Sequence, residues 1–152
     1  MDIGVYALGV ATMLLGYQPA QMCSSAIMGE YDTDKFNSIM LAYENGITAH
    51  LITTIGSVIE PQAVVFGTKG QIILPNFSAL QNFTLKKDDG TQSTVDSPFE
   101  INGFEYQIRE TVTCLRAKKS ESDIMTHQNT LAVMRLMDKA RADWGLRFPC
   151  EN

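Results

Sequence analysis

At 152 residues, with 45% hydrophobic and 19% charged side chains, the sequence has the composition of a folded domain and not of a disordered segment. Its net charge is −5, and no basic cluster is larger than Lys86-Lys87 or the stretch Arg116 to Lys119, which excludes the concentrated basic stripe of a nucleic-acid surface. The apolar stretch Ile3 to Leu15 is shorter than the roughly 20 residues that cross a bilayer, so no membrane partner is expected.

That first stretch, Ile3 to Leu15, is rich in Ala, Leu and Met and stops at Gly16 with Pro19 beyond, the punctuation of a helix. Being apolar all round, it is expected to be deeply buried. Strand patterns follow at Ala20 to Glu30 and Phe36 to Tyr43, then Asn45-Gly46 as a hairpin signal before Ile47 to Ile55. Ala63 to Phe66 and Gln71 to Leu74 make two more strands, and Phe83 to Lys87 and Thr91 to Val95 flank a turn at Asp88-Asp89-Gly90. Phe104, Ile108, Val112 and Leu115 then recur at helical spacing. A last helix carries Leu131, Met134, Met137, Arg141 and Trp144, with Thr126 as its N-cap, Gly145 as its stop and Pro149 beyond. The pattern predicts an α+β domain: one open, mostly antiparallel sheet of six or seven strands with helices on one face. Along Ile47 to Ile55, Thr48, His50, Ile52 and Thr54 fall on the face away from Ile47, Ala49, Leu51, Thr53 and Ile55. That mixture is too apolar for open water, so a homodimer through the sheet face is expected.

The chemistry sits at the start. Asp2 and Tyr6, four residues apart at a helix N-terminus, are expected to share a face, where the helix dipole favours an anion. An orienting carboxylate and a phenol able to move a proton need a partner group, and no full domain precedes them here. The chain is therefore expected to be the substrate side of an enzyme without its cofactor side. Against that reading, an N-terminal Asp serves equally as a helix cap and a tyrosine as core.

Other candidates weigh less. Gly67 to Gly70 lacks the G-x-x-x-x-G-K-[ST] spacing of a phosphate loop and is followed by a strand, so it reads as a hairpin turn. His50 and His127 have no metal-ligand spacing, and no metal is expected. His50 belongs on a sheet face and His127 in the first turn of the last helix. Glu30, Asp32 and Asp34 read as a loop, lacking EF-hand spacing. The methionines read as adaptable core filler. Cys23, Cys114 and Cys150 form no C-x-x-C, and Met1-Asp2 lacks the basic opening of a signal peptide, so a cytoplasmic protein with reduced thiols is expected.

The landmarks also resemble a known family. In order they are Asp2-Ile3-Gly4-Val5-Tyr6, Gly29 to Asp34, Tyr43 to Gly46, Gly67 to Gly70, Phe104-Glu105-Tyr106, Cys114 to Lys118, Glu121-Ser122, and Met137-Asp138 to Pro149. The sequence resembles the C-terminal domain of the glucose–fructose oxidoreductase/inositol dehydrogenase family (Gfo/Idh/MocA), nearest in pattern to the dimeric dihydrodiol dehydrogenase branch. The resemblance implies an NAD(P)-dependent oxidoreductase whose N-terminal Rossmann domain, with its Gly-rich loop and Glu-Lys-Pro lysine, is absent from residues 1–152. Those residues would form the substrate-binding and oligomerisation domain.

The family's D-x-G-x-[YH] motif maps onto Asp2, Gly4 and Tyr6. By resemblance, Tyr6 exchanges a proton with a substrate carbonyl or hydroxyl, and the missing lysine is the cation a phenol with an ordinary pKa near 10 requires. Asp2 orients the substrate, and Gly4 lets the backbone approach it. Tyr106 and Arg109 fall in a region family members use near the substrate, although the residues alone put Arg109 on a solvated helix face. The parent would act on a sugar, polyol or diol with NAD or NADP. This chain alone would bind no nucleotide and be inactive, its cofactor-binding residues lying elsewhere. The alternative is a naturally standalone, non-enzymatic module for dimerisation or ligand binding.

Overall fold

The structure, a computed structural model, describes residues 1–148. Pro149 and Cys150 lie outside the described residues. Contacts divide the chain into two compact units, Met1–Val58 with the chain from Asp123 onward, and Ile59–Ser122.

The first unit holds α1 (Gly4–Leu15), β1 (Gln21–Met28), β2 (Asp34–Ala42), β3 (Thr48–Thr54) and the last helix. The three strands form an antiparallel sheet in the order β1-β2-β3. Alternation along the central strand decides the packing. Ile39 and Leu41 face α1 and the last helix, where they join Leu8, Ala11, Val133 and Ala140 in one buried cluster. Register brings Met22 and Ala49 beside Leu41, and Leu51 beside Ile39, so the helix-facing row runs across all three strands. The opposite face carries Cys23, Ile27, Phe36, Met40, His50 and Ile52, with Ile52 57% exposed.

The second unit holds β4 (Gln62–Gly67), β5 (Gly70–Pro75), β6 (Asn82–Lys87), β7 (Gln92–Asp96) and α2 (Phe104–Arg116). Its strands make an antiparallel meander in chain order. One face gathers Val65, Ile72, Leu85, Phe83 and Val95, yet no hydrophobic residue of this unit is fully buried among the described residues.

The α+β class, the antiparallel pairing and the helices on one sheet face are as the sequence predicts. All seven strands form, but in two hydrogen-bonded sheets of three and four instead of one. The break falls after β3, where 55–61 takes no strand pairing. β3 is also shorter than its sequence pattern, leaving Ile47 and Ile55 exposed beyond its ends and out of the core row.

Two other expectations change. α1 is only half buried: Leu8, Ala11 and Thr12 pack inward, while Ile3, Met13 and Leu14 stay exposed, because one face alone meets β2 and the last helix. On α2 the stripe Phe104, Ile108, Val112 and Leu115 exists but is exposed, as nothing among the described residues covers it.

The last helix, α3 (His127–Trp144), starts and stops as expected. Thr126 Oγ1 accepts from Asn129 N at 3.1 Å, and Gly145 closes the helix at a φ of 70°, a conformation costly for residues with a Cβ. His127 is the helix's first residue, and His50 lies on the open sheet face beside Met40.

Candidate functional site

α1 begins at Gly4, so Asp2 precedes the helix and shares no helical face with Tyr6. Both side chains are nevertheless open to solvent, Tyr6 by 57%. No side-chain capping hydrogen bond forms at the N-cap residue Ile3, so Asp2 does not take the capping role. Gly4 is buried, and a Cβ there would meet Met1 Cε at 3.1 Å and Asn37 Nδ2 at 3.9 Å. Beside Asp2 lies a shallow cavity of about 160 Å³ lined by Ile3, Thr33, Asp34, Thr53 and Thr54.

Of two polar residues beneath this start, Asn37 was not singled out from the sequence and Asp34 was weighed only within an acidic loop. Asp34, read as loop, opens β2 and is buried at 8% exposure. Its Oδ2 accepts from Asn37 Nδ2 at 2.8 Å. Asn37 is 1% exposed, on the same row as Ile39 and Leu41, and its Oδ1 finds no partner among the described residues. The available signal was an amide on the inward row of an otherwise apolar alternation, three residues after an acid.

Tyr106 and Arg109 stand on the first turns of α2, in the second unit. The Tyr106 ring lies 6.5 Å from that of Phe99, tilted by 59°, within the range of favourable aromatic pairs. Arg109 is solvated, as its residue type suggests, but it is also engaged: both its terminal nitrogens donate to Glu100, Nη1 to Oε1 at 2.7 Å. That hydrogen-bonded guanidinium holds the Glu100 carboxyl below its ordinary range, and Glu100 in turn raises Arg109.

Glu105 organises this end of α2. Its carboxylate accepts from Glu100 N at 2.9 Å, Ile101 N at 3.0 Å and Asn102 N at 3.1 Å. Burial alone would push its pKa up, yet backbone N–H groups at Ile101, Glu105, Asn102 and Gly103 outweigh that and hold it at about 2. The sequence signal was an acid in the first helical turn two residues after Gly103, within reach of the backbone amides of the loop before the helix.

Among the described residues no group of three His, Cys, Asp or Glu could hold a metal ion, and no helix is long and apolar enough to cross a membrane.

Comparison with known proteins bears out the expected resemblance. Residues 1–73 match the GFO/IDH/MocA C-terminal domain. The chain is 29% identical over 156 aligned residues to the trans-1,2-dihydrobenzene-1,2-diol dehydrogenase of Xenopus laevis, covering 98% of this chain and 47% of that protein. It is 25% identical over 152 residues to scyllo-inositol 2-dehydrogenase (NADP(+)) IolU of Bacillus subtilis (strain 168), covering all of this chain and 46% of that protein. The chain thus spans about half the length of the curated relatives it matches. In fold it is similar to the UDP-N-acetylglucosamine 3-dehydrogenase GnnA of Acidithiobacillus ferrooxidans, with a TM-score of 0.78 at 14% identity over 95% of this chain and 46% of that one.

Proposed function

We propose that this chain, on the premise that it carries the GFO/IDH/MocA C-terminal domain, is the substrate half of a nicotinamide-dependent dehydrogenase acting on a sugar, polyol or diol. The observation that carries the proposal is the exposure of Tyr6 and Asp2 at the start of a helix whose other face is packed into the core. A solvent-facing phenol, and a carboxylate that lines a shallow cavity with Thr33, Thr53 and Thr54, suit a substrate bearing hydroxyl groups. The names of the relatives, a diol dehydrogenase and an inositol dehydrogenase, support the substrate class, and the second supports NADP among the two nucleotides. They also favour an enzyme over a standalone, non-enzymatic module.

A bound nicotinamide would supply or take the hydride. The residues present fit the complementary work. Tyr6 gives a proton to the substrate carbonyl, or takes one from its hydroxyl, and Asp2 accepts a hydrogen bond from a neighbouring hydroxyl to orient it. Tyr106 and Arg109 are proposed as further substrate contacts. Arg109 already spends its charge on Glu100, which suits a neutral substrate better than an anionic one. The chain holds no Gly-rich phosphate loop, so nucleotide binding falls to the other half and this chain alone is expected to be inactive.

In the dehydrogenase containing this domain, Tyr6→Phe is expected to lower kcat by about 100-fold or more. A change below about threefold removes Tyr6 from the mechanism. A homodimer through the open face of β1–β3 is part of the proposal, supported by Ile27 and Ile52 standing exposed on that face. Light scattering should report a dimer that Ile52→Glu dissociates; a monomer at high concentration contradicts it.

A further inference from the structure

We propose that Glu105 is a positioning residue that holds Glu100 in place and, through Glu100, sets where the Arg109 guanidinium stands; its consequence for substrate rests on the function proposed above.

Three observations converge on it. First, the chain leading into α2 has no apolar anchor. Ile101 is 77% exposed and Phe104 63%, so hydrocarbon packing does not fix this turn. Second, Glu105 supplies the anchor. Among the described residues of α2 it alone is buried, and its two carboxylate oxygens gather the amides of Glu100, Ile101 and Asn102. A buried carboxylate requires such donors, because leaving it short of partners is costly. Held at about 2, its pKa keeps it ionised across the neutral range. Third, the turn is closed on its other sides. Asn102 Oδ1 accepts from Phe104 N at 3.1 Å, and a Cβ on Gly103 would meet the Phe99 ring at 3.1 Å.

The link to Arg109 is direct. Glu100 accepts from both terminal nitrogens of Arg109, while its own amide is held by Glu105. Both side chains of that pair are more than half exposed, at 57% and 54%. In water, two long side chains do not hold one geometry by their attraction alone. Pinning the Glu100 backbone restricts where its carboxylate reaches, and the planar guanidinium follows through the two-pronged contact. The remaining guanidinium N–H groups then point one way, towards the oxygens of a neutral, hydroxyl-bearing substrate. Glu105 touches no substrate in this scheme.

Hydrogen exchange on the full-length protein tests the mechanical part. Glu105→Gln is expected to speed exchange at residues 100–102 about tenfold at neutral pH, while amides in β5 and β6 keep their rates. Equal acceleration in β5 and β6, or none anywhere, overturns the inference by making Glu105 a general stability residue or an idle one. Glu100→Gln, which leaves the carboxylate of Glu105 intact, gives a second reading if the first variant does not fold. Protection at 100–102 should then persist; its loss would put the exposed ion pair, and not Glu105, in charge of the turn.

Kinetics in the dehydrogenase containing this domain test the consequence, with D-glucose, myo-inositol and a vicinal cyclohexanediol as sugar, polyol and diol probes. Glu105→Gln should raise the KM of the oxidised probe about fivefold, with kcat and the nucleotide KM within about twofold, and Glu105→Asp should recover part of the loss. Added to Arg109→Ala, Glu105→Gln should change KM little further, because both act on one contact. If the two effects multiply instead, Glu105 does not act through Arg109 and the positioning role falls. If no probe is oxidised, or Arg109→Ala leaves KM unchanged, the proposed substrate contact falls, and exchange alone still decides whether Glu105 holds the turn.

Discussion

The two units of this molecule are held together differently. In the first, Leu8, Ile39, Leu41 and Ala140 are essentially removed from water, and two helices close over one face of a three-stranded sheet. In the second, the only fully buried residue among those described is an acid, Glu105, and order comes from strand ladders and a carboxylate caged by backbone amides. Hydrocarbon packing is non-directional and sums over area, whereas hydrogen bonds fix geometry and add little net stability each. The first unit therefore has a core sufficient to fold around, and the second has shape with little hydrophobic reserve.

The largest expected effect lies in the first core. Leu41→Ala should destabilise the first unit by about 2–5 kcal/mol in urea unfolding, because the fully buried site cannot collapse around the void. A cost well below 1 kcal/mol would mean that this core does not carry the unit. Next comes Gly70→Ala in the second unit. The backbone there has a φ of 143°, and a Cβ would meet Lys86 O at 2.2 Å. Loss of β5–β6 pairing with the first unit intact, read by amide exchange strand by strand, is the expected result; loss of both together would erase the distinction between the units.

Glu105 sharpens the contrast through pH. Its pKa in the fold, about 2, lies below the ordinary 4.5, so the fold binds the proton more weakly than the unfolded chain does. The stabilisation is complete above about pH 4.5 and is lost as pH falls towards 2. Amide protection at residues 100–102 should weaken across that window, and Glu105→Gln should remove the pH dependence there. The smallest effect is expected from Arg109→Ala. Its ion pair with Glu100 is exposed on both sides, so the unfolding midpoint should barely move. If Arg109 also touches substrate, KM rises even so.

Much of this was legible in the sequence because local signals sufficed. Asn45-Gly46, Asp88-Asp89-Gly90, Thr126 and Gly145 each mark a boundary through short-range chemistry, and the alternation of β3 separates Ala49 and Leu51 on the core row from His50 and Ile52. What was not legible depends on contacts distant in sequence. The split into two sheets turns on whether β3 and β4 pair, which no local pattern specifies. The exposure of the α2 stripe depends on what meets it, since periodicity reports a face and not its partner. At the site, the Asp2-to-Tyr6 motif could be read directly, while the burial of Asp34 and Asn37 could not: it follows only once β2 lies beneath α1. Glu105 was visible as a residue, but its amide cage is a property of the folded loop.

The central claim is that this domain supplies the substrate side of a longer dehydrogenase. Its most direct test is the intact mass of the protein isolated from its own cells. The account predicts a mass above the 16.8 kDa of these 152 residues by roughly a further domain of 100–150 residues. A mass of 16.8 kDa, with no nucleotide-binding subunit accompanying it, would contradict the account.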